Sequence, residues 1–469
     1  MASRKETNLA SISLLRVLAS FIAGAVVLGA IAGCGRAGGS PGDEYPKLSP
    51  TAEPLVTSTV THQSSTRTPS ITPTPEETIP PPDYDPSKTL GAFAIPLTSQ
   101  HISETSAQLY FMLESPSEGV VYYKLKGDPG AQTKWIPFSA DTETHLIKLS
   151  GLESGASYES WVGLADEEGV HHPPSFADGT WDPISVRLPQ EDKWPIRIGV
   201  IGDSGFGEGV TFQLAEEMAS HQPDFVIHTG DLVYSAYQEP SPADAFIRKF
   251  YQPMFEPLHI GPIYPVFGNH EDYSDTYWRD QPFYYAAFPP LENEHRGEDM
   301  GGISGQRDWY AFTRSGYQFI FLNSQRFYLG GLLEEQNAWL KERLEENESL
   351  SSIAVFHIPP FTSGLHRDDG IPIQRAWLPL FEEANVALVL SGHDHNYERL
   401  ESSGITYIVS GGGSSSLYGK QETRDESEYF IAQSHFLLLD LFPDRIEVSA
   451  FGLGGELLES YTHRLSLND

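Results

Sequence analysis

Between residues 90 and 188 apolar and polar positions alternate in short runs broken by turn residues. Ala107 to Leu113, Gly119 to Leu125 and His145 to Leu149 follow a period near two, separated by segments such as Pro116-Ser117-Glu118 and Gly151-Leu152-Glu153-Ser154-Gly155. Successive side chains on a strand point to opposite faces, so this spacing predicts an all-β sandwich with one face of each strand in a core. From residue 195 the pattern changes to continuous apolar runs separated by helix-like segments. Strands are expected at 196–201, 225–229, 263–267, 319–322, 353–356 and 386–390, and helices over 214–221 and 334–346, the second with Trp339, Leu340 and Leu344 on one face. Alternation of this kind predicts an α/β domain. After residue 404 the chain returns to strands, at 405–410, 436–441, 445–451 and 457–463.

The first 88 residues follow neither pattern. Arg4, Lys5 and Arg16 precede an apolar stretch from Val17 to Ala32 that ends Ile31-Ala32-Gly33-Cys34, the only cysteine of the chain. A charged start, an apolar middle and small residues before a cut site describe an export signal. The segment resembles a bacterial lipoprotein signal, which implies cleavage after residue 33 and lipid on the Cys34 sulfur. The alternative is an uncleaved anchor, although the apolar run is short beside the roughly 20 residues a span requires. Both readings place the remainder outside the cytoplasm, tethered to the cell envelope. Residues 34–88 are rich in Thr, Ser and Pro, including Thr72-Pro73-Thr74-Pro75 and Pro80-Pro81-Pro82, with few large apolar groups. Such a segment buries too little surface to offset its ordering entropy and is expected to be a disordered linker. The expected organisation is therefore a signal over 1–33, this linker, a sandwich over 89–190 and an α/β domain over 195–469.

Composition narrows the chemistry. In 469 residues, 30 Lys and Arg stand against 64 Asp and Glu, a formal net charge of −34. That balance argues against gripping a nucleic-acid backbone, which requires clustered basic residues. A single cysteine excludes an intrachain disulfide and any cysteine-rich metal site. Metal ligands would have to come from His, Asp, Glu, Asn or Tyr.

Those residue types recur where the apolar strands stop. The strand at 196 runs into Gly202-Asp203-Ser204-Gly205, and the strand at 225 into Gly230-Asp231-Leu232-Val233-Tyr234. The strand at 263 leads to Gly268-Asn269-His270-Glu271, the strand at 353 to His357-Ile358-Pro359-Pro360, and the strand at 386 to Gly392-His393-Asp394-His395-Asn396-Tyr397-Glu398-Arg399. Open α/β sheets bind ligands at the carboxyl ends of their strands. Four of the turns begin with glycine, which lets the backbone bend sharply beside a ligand. Five loops can thus deliver oxygen and imidazole ligands to one place. Any one of them alone is an ordinary turn or helix cap.

In this order the motifs resemble the calcineurin-like metallophosphoesterases, and among them the purple acid phosphatases. The resemblance covers about 195 to 411, and the preceding sandwich, whose Leu149, Leu152, Gly155 and Tyr158 look like the corner of a fibronectin type III domain, suits the plant-type architecture. The wider superfamily writes its first motif Asp-x-His, whereas Gly205 stands in the histidine position here. The acid phosphatase branch has a tyrosine three residues after the second aspartate, and Tyr234 fills that place. The resemblance implies a two-sheet fold flanked by helices and a binuclear centre. One metal would be held by Asp203, Asp231, Tyr234 and His395, and the other by Asp231, Asn269, His357 and His393. A phenolate beside carboxylates suits Fe(III) at the first site, and Asn with two imidazoles suits a divalent ion such as Zn, Fe or Mn at the second.

The implied reaction is hydrolysis of a small phosphate ester, with two metals clamping the phosphoryl group and generating a hydroxide at mild pH. His366, nine residues after His357, stands about where the family has a further histidine and would serve as acid or phosphate donor. His270 would touch a phosphate oxygen, Glu271 would orient a ligand from behind, and Glu398 and Arg399 would brace the histidine loop. Two alternatives remain: a phosphodiesterase of the same superfamily, acting on cyclic nucleotides or phospholipid head groups, and a non-catalytic adhesion protein in which the sandwich does the work. Tyr284, Tyr285, Trp309 and Tyr310 are equally compatible with a pocket wall and with core. His171-His172 is expected to be a solvated loop.

Overall fold

The computed structural model describes residues 70–71, 81–175, 183–190, 193–272, 283–289, 299–301, 309–329, 333–346 and 350–465. The export signal, Cys34 and most of the Thr/Ser/Pro segment lie outside the described residues. No described helix is long and apolar enough to cross a membrane.

The alternating segments form a sandwich of two sheets. Ser70–Ile71 (β1), Phe93–Ile102 (β2), Ser106–Leu113 (β3) and Thr144–Ser150 (β6) give one sheet in the order β1-β6-β3-β2. Gly119–Leu125 (β4), Lys134–Phe138 (β5), Ser157–Ala165 (β7), His171–His172 (β8) and Ile184–Arg187 (β9) give the other, in the order β5-β4-β7-β8 with β9 also paired to β7. Alternate residues of both sheets, among them Leu109, Phe111, Val121, Tyr123, Ile147 and Val162, meet in one apolar core. At the corner the Tyr158 Oη accepts a hydrogen bond from the Glu153 N–H at 3.1 Å, tying β7 to the preceding loop.

Two expectations about this region change. Residues 70–71 and 81–88, assigned to the linker, belong to the sandwich: β1 pairs with β6, Asp83 O and Asp85 N both bond to His171, and the Tyr84 ring packs edge-on against Tyr122 and Trp161. His171 and His172 are buried rather than solvated, because Asp166 accepts from His172 Nε2 at 2.9 Å and the Asp85 carbonyl accepts from its Nδ1 at 2.8 Å.

The second region has four layers. Ile196–Ile201 (β10), Phe225–His228 (β11), Ile263–Pro265 (β12), His435–Phe442 (β21), Arg445–Gly452 (β22) and Leu457–Arg464 (β23) form a sheet in the order β12-β11-β10-β21-β22-β23. Asp299–Gly301 (β13), Trp309–Arg314 (β14), Tyr317–Phe321 (β15), Ser351–Val355 (β16), Leu388–Ser391 (β17), Tyr397–Ser402 (β18), Ile405–Ser410 (β19) and Ser427–Ile431 (β20) form a second, ordered β13-β14-β15-β16-β17-β19-β18-β20.

Strand periodicity decides the layers. Phe225, Ile227, Ile353, Val355, Leu388 and Leu390 face inward into the core shared by the two sheets. Val226 faces out to the helix Gly209–Ser220, against Leu214 and Met218. Ala354 and Val389 face the opposite helical layer, against Leu340, Leu344, Trp377 and Phe381. Burial on both faces explains why these strands read as continuous apolar runs.

Strands β10, β11 and β12 are mutually parallel, as are β15, β16, β17 and β19. Their carboxyl ends therefore open on the same edge. Tyr284, Trp309 and Tyr310 are buried core residues, and the hydroxyls of Tyr284 and Tyr310 both donate to the Pro265 carbonyl, fixing the end of β12 just before Gly268. The sandwich docks firmly on this domain. Ile95 and Tyr110 share an apolar cluster with Phe246 and Phe250, Tyr110 donates to the Ala286 carbonyl at 2.7 Å, and His101 Nδ1 lies 2.8 Å from the Tyr264 hydroxyl.

His145 makes the sandwich acid-sensitive. Its ring lies 4.9 Å from Phe111 and 4.4 Å from Phe138, its Nε2 has no partner among the described residues, and burial pushes it down to about 4 from 6.5. Between those values the unfolded chain takes up a proton that the folded one refuses, so stability falls as pH drops from about 6.5 to about 4. His145→Phe is expected to remove up to about 1.4 kcal/mol per pH unit of that slope in urea unfolding curves. A variant whose stability relative to the wild type is constant across this range would disprove the assignment.

Candidate metal centre

The five strand ends meet. After β10, Asp203 makes two bonds that lace the loops together: its N–H donates to the Gly230 carbonyl at 3.0 Å, and its Oδ2 accepts from the His393 N–H at 3.0 Å. Gly205 N–H donates to the Asp231 carbonyl, and Tyr234 N–H donates back to the Gly205 carbonyl. A side chain at Gly205 would run into the backbone of Leu232 and Val233. Position 205 is thus closed by the loop carrying Tyr234.

Two groups of donors result. In the first, the Tyr234 hydroxyl lies 3.1 Å from Asp203 Oδ1 and 3.0 Å from His395 Nε2. In the second, Asn269 Oδ1 lies 2.8 Å from His357 Nε2 and 2.9 Å from His393 Nδ1, with Asp231 Oδ1 3.4 Å from His357 Nε2. Asp203, Asp231 and His357 offer ligand atoms within 4.8 Å of one another, so the two groups adjoin. All seven side chains are buried.

The outer contacts of the imidazoles show what the centre is suited to hold. His357 Nδ1 donates to the Thr229 carbonyl at 2.8 Å, His395 Nδ1 to the Ser416 carbonyl at 2.7 Å, and His393 Nε2 to Asp369 Oδ2 at 3.1 Å. Each ring is fixed through one nitrogen, which turns the other inward. This is the arrangement that orients metal-ligating histidines. Burial pushes His393 down to about 4, which keeps its inward lone pair free. Burial also opposes charge on His357, but Asp231 overrides it and raises the ring to about 9, a sign that the cage attracts positive charge. Burial together with Asp203 and Asp231 holds the Tyr234 phenol well above its ordinary range. Only a cation among these atoms would let them all present lone pairs at once. The donor set fits two metal ions.

The backbone is strained at the ligands themselves. Asp203, Asp231 and His393 have φ of 56°, 55° and 68°. Non-glycine residues in this left-handed region are uncommon and concentrate at functional sites. Of the four glycines that open the turns, only Gly230 needs a positive φ, at 101°. The others are required by crowding: a Cβ on Gly392 would strike the Asp203 carboxylate, one on Gly268 the Asp231 carboxylate, and one on Gly202 the Thr229 hydroxyl.

The supporting residues separate into those that touch the centre and those that do not. Glu271 accepts from the N–H groups of Asp231 and Gly268, each at 2.9 Å, and from Val233 at 3.1 Å, so it sets the turn that presents Asp231. Burial and the facing Asp231 push its carboxyl up, against His357 and these N–H bonds. His270 donates its backbone N–H to Asp231 Oδ1 at 2.9 Å, and its ring packs 4.3 Å from that of Tyr234. His366 comes to the centre, with its ring 4.2 Å from that of His393.

Arg399 does not. It forms a double bond pattern with Glu459, at 2.9 and 3.1 Å, and lies over the Tyr461 ring, because alternation along β18 turns it away from the histidine loop. Its neighbour Glu398 takes the bracing role, accepting from Ser363 N–H at 2.7 Å and Ser427 Oγ at 2.6 Å.

Three contributors were absent from the sequence expectations. Asp394, between the two histidines, accepts from Thr362 Oγ1 at 2.7 Å and Leu365 N–H at 2.8 Å, holding the loop that carries His366. Its signal was the two-residue alternation of His393, Asp394 and His395, which points it to the opposite side. Asp369 joins His366 to His393. Lys249, from a π-helical turn over Ile247–Tyr251, donates to the Tyr234 carbonyl at 2.7 Å from below.

Residues 196–397 match the family described as calcineurin-like phosphoesterase. Purple acid phosphatase 23 of Arabidopsis thaliana is 25% identical over 334 residues, covering 65% of this chain and 68% of that protein. Purple acid phosphatase 18 of the same plant is 25% identical over 302 residues, covering 60% and 65%. The chain thus spans about two-thirds of the length of these relatives. Among solved structures, the purple acid phosphatase PPD1 from yellow lupin (Lupinus luteus) seeds superposes with a TM-score of 0.60 at 15% identity, over 79% of this chain and 74% of that one, a likeness of fold.

Gly268→Ala tests the crowding argument. The added methyl would displace Asp231 and the Glu271 carboxylate that orients it. Bound Zn(II), read by plasma mass spectrometry after equilibration, is expected to fall from two ions per chain to fewer than one with the circular dichroism spectrum retained. Two ions retained would mean that the loop absorbs the methyl and that glycine is not required there.

Proposed function

We propose, starting from a calcineurin-like phosphoesterase domain whose purple acid phosphatase homologues indicate a phosphoric ester hydrolase, that this protein is a phosphomonoesterase with a binuclear metal centre. The observation that carries the reading is the convergence of seven donor side chains from five strand ends, with each imidazole fixed from outside and open inward. Asp203, Asp231, Tyr234 and His395 would hold one ion, and Asp231, Asn269, His357 and His393 the other, with Asp231 shared. The phenol and two carboxylates favour Fe(III) in the first position, and the amide and imidazoles favour Zn, Fe or Mn as a divalent ion in the second. When bound, the pair would neutralise phosphoryl charge and supply a nucleophilic water at mild pH.

The chain's own groups do the rest. His270 and His366 flank the centre on its Tyr234 and His393 sides, where they can bond non-bridging phosphate oxygens. As the oxygen of water joins phosphorus, the breaking P–O bond leaves its electron pair on the ester oxygen. That oxygen takes a proton from the His366 imidazolium, and solvent reprotonates the ring. Phosphoryl transfer asks for positioning and charge stabilisation more than covalent help, and a rigid, laced set of loops provides it.

We read the sandwich as fibronectin type III-like, on the strength of its strand order and its tyrosine corner. We also propose export and attachment through lipid on Cys34, supported by the charged, apolar and small-residue pattern of residues 1–34.

Purified protein loaded with iron and zinc is expected to hydrolyse p-nitrophenyl phosphate with at least about tenfold higher kcat/KM than bis(p-nitrophenyl) phosphate, and Asp231→Asn to lower that value by more than about a hundredfold. The reverse substrate order would identify a diesterase, and hydrolysis of neither ester would return the sandwich and its surface to first place. Tyr234→Phe is expected to abolish the visible charge-transfer band of the iron-loaded protein without loss of fold. A colourless iron-loaded wild type would remove Tyr234 from the ligand set.

A further inference from the structure

We infer that Asp369 is a positioning residue that fixes the His366 ring in one tautomer and orientation, with Nε2 as the only ring nitrogen available to substrate. This rests on the phosphoesterase reading above. One carboxylate oxygen makes the assignment: Asp369 Oδ2 accepts from His366 Nδ1 at 3.1 Å and from His393 Nε2 at 3.1 Å, while the two rings lie 4.2 Å apart. A proton on Nδ1 that donates to Asp369 leaves Nε2 facing away from the carboxylate. Free histidine favours the other tautomer, so without Asp369 the ring would both turn and exchange its proton position.

The surrounding loop is built for this role. His366 N–H lies 3.3 Å from both oxygens of Asp394, so a second carboxylate holds its backbone while Asp369 holds its ring. Asp369 is brought back to His366 by a turn in which its own N–H donates to the His366 carbonyl at 3.1 Å. The next residue, Gly370, is packed so closely on the backbone of Pro359 and Pro360 that a side chain there would collide. Asp369 is 21% exposed, whereas its neighbour Asp368 is 78% exposed and reaches only Arg367, at 4.0 Å.

A proton donor matters most when the leaving group is a poor one, because a basic alkoxide cannot depart unprotonated while a nitrophenolate can. Donors of this kind contribute about 10²–10⁴-fold. Loss of orientation at His366 therefore has a signature that loss of metal does not.

The experiment compares the full-length wild type with Asp369→Asn, Asp369→Glu, His366→Ala and the double variant Asp369→Asn/His366→Ala, on p-nitrophenyl, phenyl and alkyl phosphates. Metal content is measured on each preparation, and ¹⁵N-histidine NMR is recorded on the metal-free wild type and Asp369→Asn. Asp369→Asn is expected to lose at least about ten times more kcat on the alkyl ester than on the p-nitrophenyl ester, with two ions still bound. The double variant should be no slower than His366→Ala, and Asp369→Glu should recover part of the loss. In the spectra, wild-type His366 should carry its proton on Nδ1, and Asp369→Asn should move it to Nε2. An equal loss on every ester, a fall in bound metal that accounts for the loss, or a wild-type His366 without a proton on Nδ1 would overturn the inference. If the wild type cleaves no ester, the functional reading fails, and the NMR comparison still decides what Asp369 does to the ring.

Discussion

Crowded lone pairs are the condition to which the rest of this molecule answers. Asn269 Oδ1 lies 2.8 Å from His357 Nε2 and 2.9 Å from His393 Nδ1, and Asp231 Oδ1 lies 3.4 Å from His357 Nε2, in a buried space. In a low-dielectric interior such groups repel unless a positive charge lies among them. The fold holds them there by means that oppose relaxation. Left-handed backbone at Asp203, Asp231 and His393 costs on the order of 1–3 kcal/mol each, and glycines at 268 and 392 leave no alternative course for the chain. Strain of this size persists only where surrounding packing determines it, and the two-sheet core with its flanking helices supplies that packing.

The same condition explains what could be read from the sequence and what could not. Ligands at parallel strand ends were legible because each follows an apolar run whose length and direction are set by the core, as with Ile227 and His228 leading to Asp231. The reason for the glycines was legible only in part. The sequence suggested sharp bends, whereas three of the four positions are glycine because a neighbouring loop occupies the space of a Cβ. That fact involves residues 27 to 189 positions away, Thr229 for Gly202 and Asp203 for Gly392, and leaves no local trace. Glu398 and Arg399 stand side by side in the sequence, but strand alternation sends one to the histidine loop and the other to Glu459. With the strand taken as part of a loop, that division was invisible. His171-His172 and residues 81–88 misled for a related reason: polar or proline-rich residues at a sandwich edge find partners across the sheet, and composition does not report partners.

Charge presents an apparent conflict that distance resolves. A net charge of −34 surrounds a centre proposed to bind anions. Exposed charges are screened beyond about 8–10 Å in physiological salt, whereas cations held in the buried cage would act on a phosphate within a few ångströms. The global charge therefore acts on approach and the local charge on binding. Small monoanionic or dianionic esters tolerate that division better than long polyanions, whose distant phosphates would remain outside the cage and in the negative field.

The histidine pair shows how the metal-site donors and the proposed proton donor, His366, are linked. His393 turns its Nδ1 inward to Asn269 and its Nε2 outward to Asp369, and the same oxygen of Asp369 takes His366 Nδ1. A shift of either ring must therefore move the acceptor of the other. His366 is held half-exposed at the mouth, and His393 is fully enclosed. The partly exposed ring is thereby referenced to the enclosed one through one shared carboxylate oxygen. Effective catalysis by positioning tolerates little displacement, with an error near 1 Å costing about a hundredfold. A histidine near the surface meets that tolerance only if its neighbours fix it, and here Asp394 holds its backbone while Asp369 holds its ring.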